Sequence, residues 1–348
     1  MRFAIRTLMT AAVLRRRTAV PVAAVHFACP KCQQDLLPVD KNALRCSNNH
    51  WVNVAKEGHI NLLPPARKNA AAEAESDAAA RAQRALFEGG GFEAQIDAIT
   101  KEVARALGSC PPDPEGDVAI LNVGCGEGLY LRRLAVRLDA EKRDTPMQLF
   151  GTDTNKLGVR YASKRQRDAG FAVCAPTRLP FADGTFSVVF AVFSPSPWEE
   201  FCRVLKPGGV VIVARAGNKH LQELHKVASS MSGAPSADAV DPPKKFSAGL
   251  AENYIRICTE EAYTAQTLEQ IIAITPWGKQ PTDAQGHREE LLERRLKLPP
   301  VTNKGSGDEA PDRHQEPSGS ASVQGTTTTV DFIISTHRVW LGTGGEPV

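Results

Sequence analysis

No stretch of this 348-residue sequence reaches the roughly 18 consecutive apolar residues that a membrane-spanning helix needs. Neither sign of charge dominates. There are 42 Lys and Arg against 39 Asp and Glu, a net of +3. That excludes a histone-like polycation but leaves room for a local basic site. Cysteine is sparse, at eight residues, and does not suggest a disulfide scaffold in a chain of this length. What is present is ordinary for a globular chain, with 42% hydrophobic and 23% charged residues. The length allows two or three compact units.

Residues 1–34 contain no Asp or Glu at all. They carry Arg2, Arg6, Arg15, Arg16, Arg17 and Lys31 among Ala, Leu, Val and Thr. An acid-poor, Arg-rich, amphipathic leader is the composition of a mitochondrial presequence. A secretory signal fits poorly, because the Arg15–Arg17 cluster follows the apolar stretch. The alternatives for 1–26 are a disordered extension or a mis-assigned start. The expected location is the mitochondrial matrix, or the cytoplasm if the leader is not a presequence.

Cys29-Pro30-Lys31-Cys32 is followed by Cys46 and His50. Two close pairs separated by about a dozen residues are what two knuckles offer one tetrahedral Zn²⁺. Three thiolates and one imidazole leave no open position, so the expected ion is structural. A unit of this size, 27–65, cannot bury enough core without such a staple. The alternative is a redox Cys-x-x-Cys, but no βαβ pattern surrounds it.

A helical composition runs from Ala70 to Leu107, and Gly89-Gly90-Gly91 predicts a break in it. Phe87 and Phe92 flank the break; a lone Phe is usually core. Residues 66–116 are expected to form a helical linker ending in the Pro-rich run after Ser109.

The apolar run Val118–Val123 predicts a buried strand, with Gly124-Cys125-Gly126-Glu127-Gly128 after it and a helix over Leu129–Leu138. A glycine-rich strand-to-helix turn lets backbone approach a ligand closely. The spacing G-x-G-x-G is tighter than the dinucleotide fingerprint and suits S-adenosylmethionine. Asp153, at the tip of the next predicted strand, Gln148–Thr152, is placed to bond ribose hydroxyls. A plain tight turn is the alternative for the glycines alone. Further strands are expected over Phe171–Ala175, Ser187–Phe193, Val210–Ala214 and Val330–Thr336, with a helix over Trp198–Leu205. This alternation predicts an α/β fold: a Rossmann-like parallel sheet with helices on both faces, over 117–340. Its carboxyl edge collects Gly124, Gly126, Gly128, Asp153, Leu179, Pro180 and Ser194–Pro197. Insertions are expected at about 231–245 and at 299–329, the second of low complexity and disordered.

The glycine turn, Asp153, RLPFADGTFSVVF and LKPGGVVIVA resemble class I S-adenosylmethionine-dependent methyltransferases. CPKCQQDL, CSNNHWVNVAKEGHINLLP, RAQRALFEGGGFEAQIDAI and ARAGNKHLQELHKV resemble the RlmA family of 23S rRNA (guanine-N1)-methyltransferases. That resemblance implies zinc on Cys29, Cys32, Cys46 and His50. It implies S-adenosylmethionine contacts at Phe92, Gly126, Glu127 and His220. By itself, a lone His after a strand reads as surface or core. The resemblance also implies methyl transfer to N1 of a guanine in a large-subunit rRNA hairpin. The expected partners are that hairpin and a second copy of the chain as a homodimer, with no membrane.

Guanine N1 carries a proton that an acceptor must take. The residues name none; Asp183 is a candidate, with a turn residue in Ala182-Asp183-Gly184 as the alternative. Phe193-Ser194-Pro195-Ser196-Pro197-Trp198 stands where exocyclic-amine methyltransferases carry an Asp or Asn, which argues against an adenine-N6 acceptor and keeps a ring nitrogen open. Trp198 could stack on a base or sit in the core. Lys31, Lys41, Arg45, Arg67 and Lys68 are candidates for RNA phosphate contacts, or plain solvated surface. Two other functions remain open: a small-molecule, quinone-type methyltransferase, and a non-catalytic ribosome-assembly factor. The ribbon argues against the first and the intact glycine turn against the second.

Overall fold

The computed structural model describes residues 27–64, 70–110, 118–141, 147–224, 226, 253–275, 293–294 and 326–339. The leader 1–26, Arg67, Lys68, the linker residues 111–116, the expected insertion 231–245 and most of that at 299–329 lie outside the described residues.

The ribbon is a three-stranded antiparallel sheet of β1 (Leu37–Asp40), β2 (Ala43–Arg45) and β3 (Trp51–Asn53). Its third strand alternates exposed, buried, exposed, as in a half-buried sheet, while β1 is exposed along its length. Leu44 and Val52 pair across β2 and β3 and point inward, while Arg45 and Trp51 pair beside them and point out.

The chain then enters the large sheet before its first helix. β4 (Ile60–Asn61) pairs in parallel with β7 (Gly170–Val173). The other strands are β5 (Val118–Val123), β6 (Met147–Asp153), β8 (Phe186–Val192), β9 (Leu205–Ala216), β10 (Asn253–Tyr263) and β11 (Thr326–Arg338). The eight strands run in the order β10-β11-β9-β8-β5-β6-β7-β4. From β4 to β9 all pairings are parallel, and β11 lies antiparallel between β9 and β10. Every residue of β8 is buried, as expected for a strand covered on both faces.

Helices α1 (Ala70–Glu88) and α2 (Glu93–Ser109) are separated by the triple-glycine break. Gly91 has no room for a side chain, since a Cβ would lie 2.9 Å from the Leu86 carbonyl. α3 (Leu129–Ala140), α4 (Lys156–Arg165), α5 (Trp198–Val204) and α6 (Ala265–Ile274) follow.

Two apolar clusters sandwich the sheet. One of them is shared with the ribbon. Phe27 stacks on Phe181 at 5.3 Å, Phe181 meets Phe150 and Phe186 edge-on at 5.5 and 4.7 Å, and Leu36 and Leu44 close the same core. Burying one such phenyl group is worth about 2–3 kcal/mol. Polar contacts add to the junction: Ala28 N–H to the Pro180 carbonyl (2.7 Å) and Arg160 to Glu57 (2.9 Å). The ribbon is therefore docked on the catalytic domain over a broad face, not tethered beside it.

The structure departs from the sequence expectation in four places. β9 begins at Leu205, because Lys206–Gly209 form a bulge between Leu205, opposite Phe186, and Val210, opposite Val188. β11 begins at Thr326, so the last residues of the segment expected to be disordered are paired with β10; four consecutive β-branched threonines suit a strand. β10 and α6 were not foreseen. Of the two readings left open for Trp198 the structure has the core one: it is 3% exposed and edge-on to His337 at 5.2 Å.

Candidate active site

The ribbon brings its four expected ligands together. Cys29, Cys32, Cys46 and His50 place one ligand atom each within 4.8 Å of all the others. Cys29 Sγ and Cys46 Sγ lie 3.5 and 3.4 Å from His50 Nδ1, and Cys32 Sγ lies 3.6 Å from Cys46 Sγ. Tetrahedral zinc with Zn–S of about 2.3 Å and Zn–N of about 2.0 Å needs ligand edges of about 3.5–3.8 Å. Donor set and spacing fit zinc. Each knuckle turns through a left-handed residue, Gln33 (φ 61°) and Asn49 (φ 58°). The Gln34 N–H beside Cys32 lowers its thiol to about 6, toward the thiolate that a metal takes, while burial raises the Cys29 thiol.

The second site lies where the chain leaves the sheet centre in opposite directions. β5 continues to β6 and β7 on one side, and β8 to β9 on the other. A crevice opens outside the carboxyl ends at such a point. Gly124 and Gly126 line it in left-handed conformation (φ 72° and 53°). A Cβ on Gly124 would lie 2.1 Å from Ser194 Oγ, and one on Gly126 would lie 2.5 Å from Gln83 Oε1. Only glycine allows both the backbone turn and the approach. α3 starts at Gly128 with no side chain capping its first amides, which leaves N–H groups able to receive a ligand carboxylate.

α1 crosses above this turn. Asn155 Nδ2 donates to Ser76 Oγ (2.6 Å), Arg84 lies over the Tyr161 ring at 4.8 Å, and Gln83 faces Gly126. Asp153 accepts from Gly126 N–H through Oδ2 and from Asn155 N–H through Oδ1, both at 2.8 Å. Its carboxylate thus ties the glycine turn to the tip of β6, and a ribose bound there would share the same oxygens.

Phe92 and His220, far apart in sequence, stand with ring centres 6.3 Å apart. His220 Nδ1 accepts from the Asp331 N–H at 3.3 Å, so in the neutral ring Nε2 carries the proton. Burial pushes this histidine down to about 4, against the opposing pull of Asp331. It is a neutral donor at physiological pH. The turn that carries it is held to β11 at both ends. Asp331, fully buried, receives Arg256 through two bonds of 2.8 and 2.7 Å and the Lys219 N–H at 3.0 Å. Glu223 receives the Thr329 N–H at 2.9 Å and the Thr329 hydroxyl at 2.7 Å. The Arg256 guanidinium holds the Asp331 carboxyl below its usual range.

Four further expected residues are placed as follows. Leu179 and Pro180 do not join the crevice through their side chains: both are buried, Leu179 in the core shared with the ribbon, and the Pro180 carbonyl receives Ala28. Glu127 turns inward, 1% exposed, toward Arg165 (2.5 Å) and Arg132 (3.9 Å); burial raises its carboxyl despite them. Asp183 is exposed on the ribbon side and paired with Arg203 at 2.8 Å, which removes it as a proton acceptor at the crevice. Residues that the sequence did not single out for the crevice are Gln83, Tyr263, Asp331 and Phe332. Tyr263 and Phe332 pack edge-on against Phe92 at 6.4 and 5.6 Å.

Residues 27–71 match the model of the RlmA N-terminal zinc ribbon, and residues 121–213 match a methyltransferase domain. A Micromonospora griseorubida protein named for 23S rRNA (guanine-N1)-methylation is 32% identical over 225 residues, 62% of this chain and 73% of the relative. The chain belongs to the RlmA methyltransferase family. The 23S rRNA (guanine(748)-N(1))-methyltransferase of Streptomyces fradiae is 32% identical over 200 residues, 57% of this chain and 66% of its own length. The Bacillus subtilis (strain 168) protein YxjB, named for the same class of reaction, is 29% identical over 253 residues, 72% and 86% of the two chains. As an RlmA-type methyltransferase the protein uses S-adenosylmethionine and holds zinc on its ribbon. The crevice at Gly124–Gly128 suits the cofactor on the grounds of the cradle and the uncapped α3 terminus.

Proposed function

We propose that this RlmA-type enzyme methylates N1 of a guanine in large-subunit rRNA, and that the ribbon takes part in recognising the RNA. The names of its relatives support the acceptor. The observation that carries the role of the ribbon is its fixed docking: β4 and the shared Phe27–Phe181 core hold it rigidly against the catalytic sheet. Its outer face carries Leu37, Arg45 and Trp51, one directly opposite the next across the three strands. Trp51 is 54% exposed, and the Arg45 guanidinium lies over its ring at 5.2 Å. An aromatic ring with an arginine beside it offers a base-stacking surface and a phosphate contact in one place.

When bound, S-adenosylmethionine supplies an electrophilic methyl carbon on a sulfonium. The chain supplies alignment. The glycine turn and the uncapped start of α3 would hold the amino-acid end, and α1 would cover it, with Ser194 packed against Gly124. Guanine N1 must lose its proton before or during attack. His220 does not accept it in the tautomer its own hydrogen bond sets. The acid-poor leader supports a matrix location, tested by imaging residues 1–26 fused to a fluorescent protein; retention in the cytosol would remove it.

The test is methyl transfer to unmodified large-subunit rRNA, read by nucleoside mass spectrometry. 1-Methylguanosine is expected. A different methylated nucleoside, or transfer to no RNA by protein that binds cofactor, would overturn the acceptor assignment.

A further inference from the structure

Phe193 is the residue in the crevice that its surroundings explain least as core. It follows β8, a strand with no exposed residue, yet it is itself 48% exposed. Its backbone is left-handed (φ 48°), a conformation that a bulky side chain adopts only where something holds it. Such strain in a non-glycine residue gathers at functional sites. Here the holding is visible. The Phe193 N–H bonds to the Ala214 carbonyl at 2.9 Å, which continues the β8–β9 ladder. Prolines at 195 and 197 limit the chain just beyond.

The ring is supported on one face. It stacks on His220 at 5.5 Å and 22°, and Phe332 meets it edge-on at 4.7 Å. His220 is in turn clamped through Asp331 N–H. The next residue, Ser194, touches the Gly124 turn that seats the cofactor. A flat apolar surface backed by a rigid neutral histidine, at the mouth of the cofactor crevice, fits a planar heteroaromatic ligand. We infer that Phe193 forms the seat for the acceptor nucleobase, stacking the target purine beside the methyl group. This inference rests on the guanine reading above and gives that reading a place in the fold. The left-handed backbone turns the ring out of the sheet, where a regular strand continuation would carry it along.

The test uses the full-length, zinc-loaded protein with four substitutions: F193A, F193G, F193Y and F193W. Glycine relieves the left-handed backbone, so F193G should melt at or above wild type. Both F193A and F193G should bind S-adenosylhomocysteine as wild type does, while kcat/KM on unmodified rRNA falls roughly 10- to 100-fold, the size of one lost base stack. F193Y should recover most of it. Retention of more than half the wild-type kcat/KM by F193A and F193G would overturn the seat while leaving the guanine assignment intact. So would a loss that follows weakened S-adenosylhomocysteine binding, since the ring would then serve the cofactor. If wild type forms no 1-methylguanosine, the emission of F193W relative to wild type decides. Quenching by rRNA supports a base seat with a different acceptor, and no quenching overturns both.

Discussion

The zinc group draws its ligands from two neighbouring knuckles, Cys29 to His50, whereas the wall of the crevice draws Phe92, Phe193, His220, Tyr263 and Phe332 from nearly the whole described chain. The first needs only local turns and an ion. The second exists only once the sheet has closed around β11. Loop-closure entropy makes that assembly the slower and more distributed one. A site held by one ion should fail all at once. A site held by many packed rings and two peptide-to-carboxylate bonds, Lys219 to Asp331 and Thr329 to Glu223, should fail by degrees.

Removing zinc should be the largest perturbation. Apparent zinc affinities in finger peptides are about 10–16 kcal/mol, so C29S/C32S protein or chelated wild type should lose the fold of the ribbon. Loss of metal stoichiometry, a lowered melting temperature and loss of rRNA methylation should coincide. A ribbon that keeps its protease resistance without metal would break the contrast. Second, Gly124→Ala forces a Cβ onto Ser194 Oγ and a left-handed alanine. Overpacking of that kind costs about 3 kcal/mol, roughly 100-fold in cofactor affinity, with zinc retained. Calorimetry with S-adenosylhomocysteine checks it.

The third perturbation is pH. Burial lowers His220 from 6.5 to about 4, so the unfolded chain binds the extra proton in that window. Its contribution is present in full above pH 6.5 and is lost as pH falls toward 4, up to about 3 kcal/mol. Urea midpoints of wild type should decline across that window more steeply than those of His220→Gln. Equal slopes would place the histidine in solvent. The smallest effect is expected on the outer face of the ribbon. Trp51→Ala should weaken rRNA binding by roughly tenfold, within the range for one stacked base, and leave the melting temperature unchanged. An unchanged RNA affinity would move recognition elsewhere.

Legibility followed the same division. The ligand spacing of the ribbon, the glycine turn, the helix break at Gly89–Gly91 and the alternation of strands with helices could all be read because each is local. The packing of Leu179 and Pro180 was not legible, because nothing in RLPF announces that Ala28 and Phe27 will dock there. Asp331 was passed over because one acid inside the expected strand VDFIIS carries no sign of a partner. Its partner Arg256 lies on β10, whose alternation Tyr254-Ile255-Arg256-Ile257 could have revealed the strand. The bulge at Lys206–Gly209 and the left-handed turn at Phe193 depend on tertiary packing that no window of sequence contains.

The two-residue strand β4 has a consequence beyond positioning. Without Ile60 and Asn61, the β7 backbone at Ala172 and Val173 would face solvent as an unpaired margin of an otherwise apolar sheet. Bare margins recruit strands from other molecules. The metal that folds the ribbon therefore also keeps copies of the catalytic domain from adhering to one another, and zinc-starved protein should aggregate before its cofactor crevice melts.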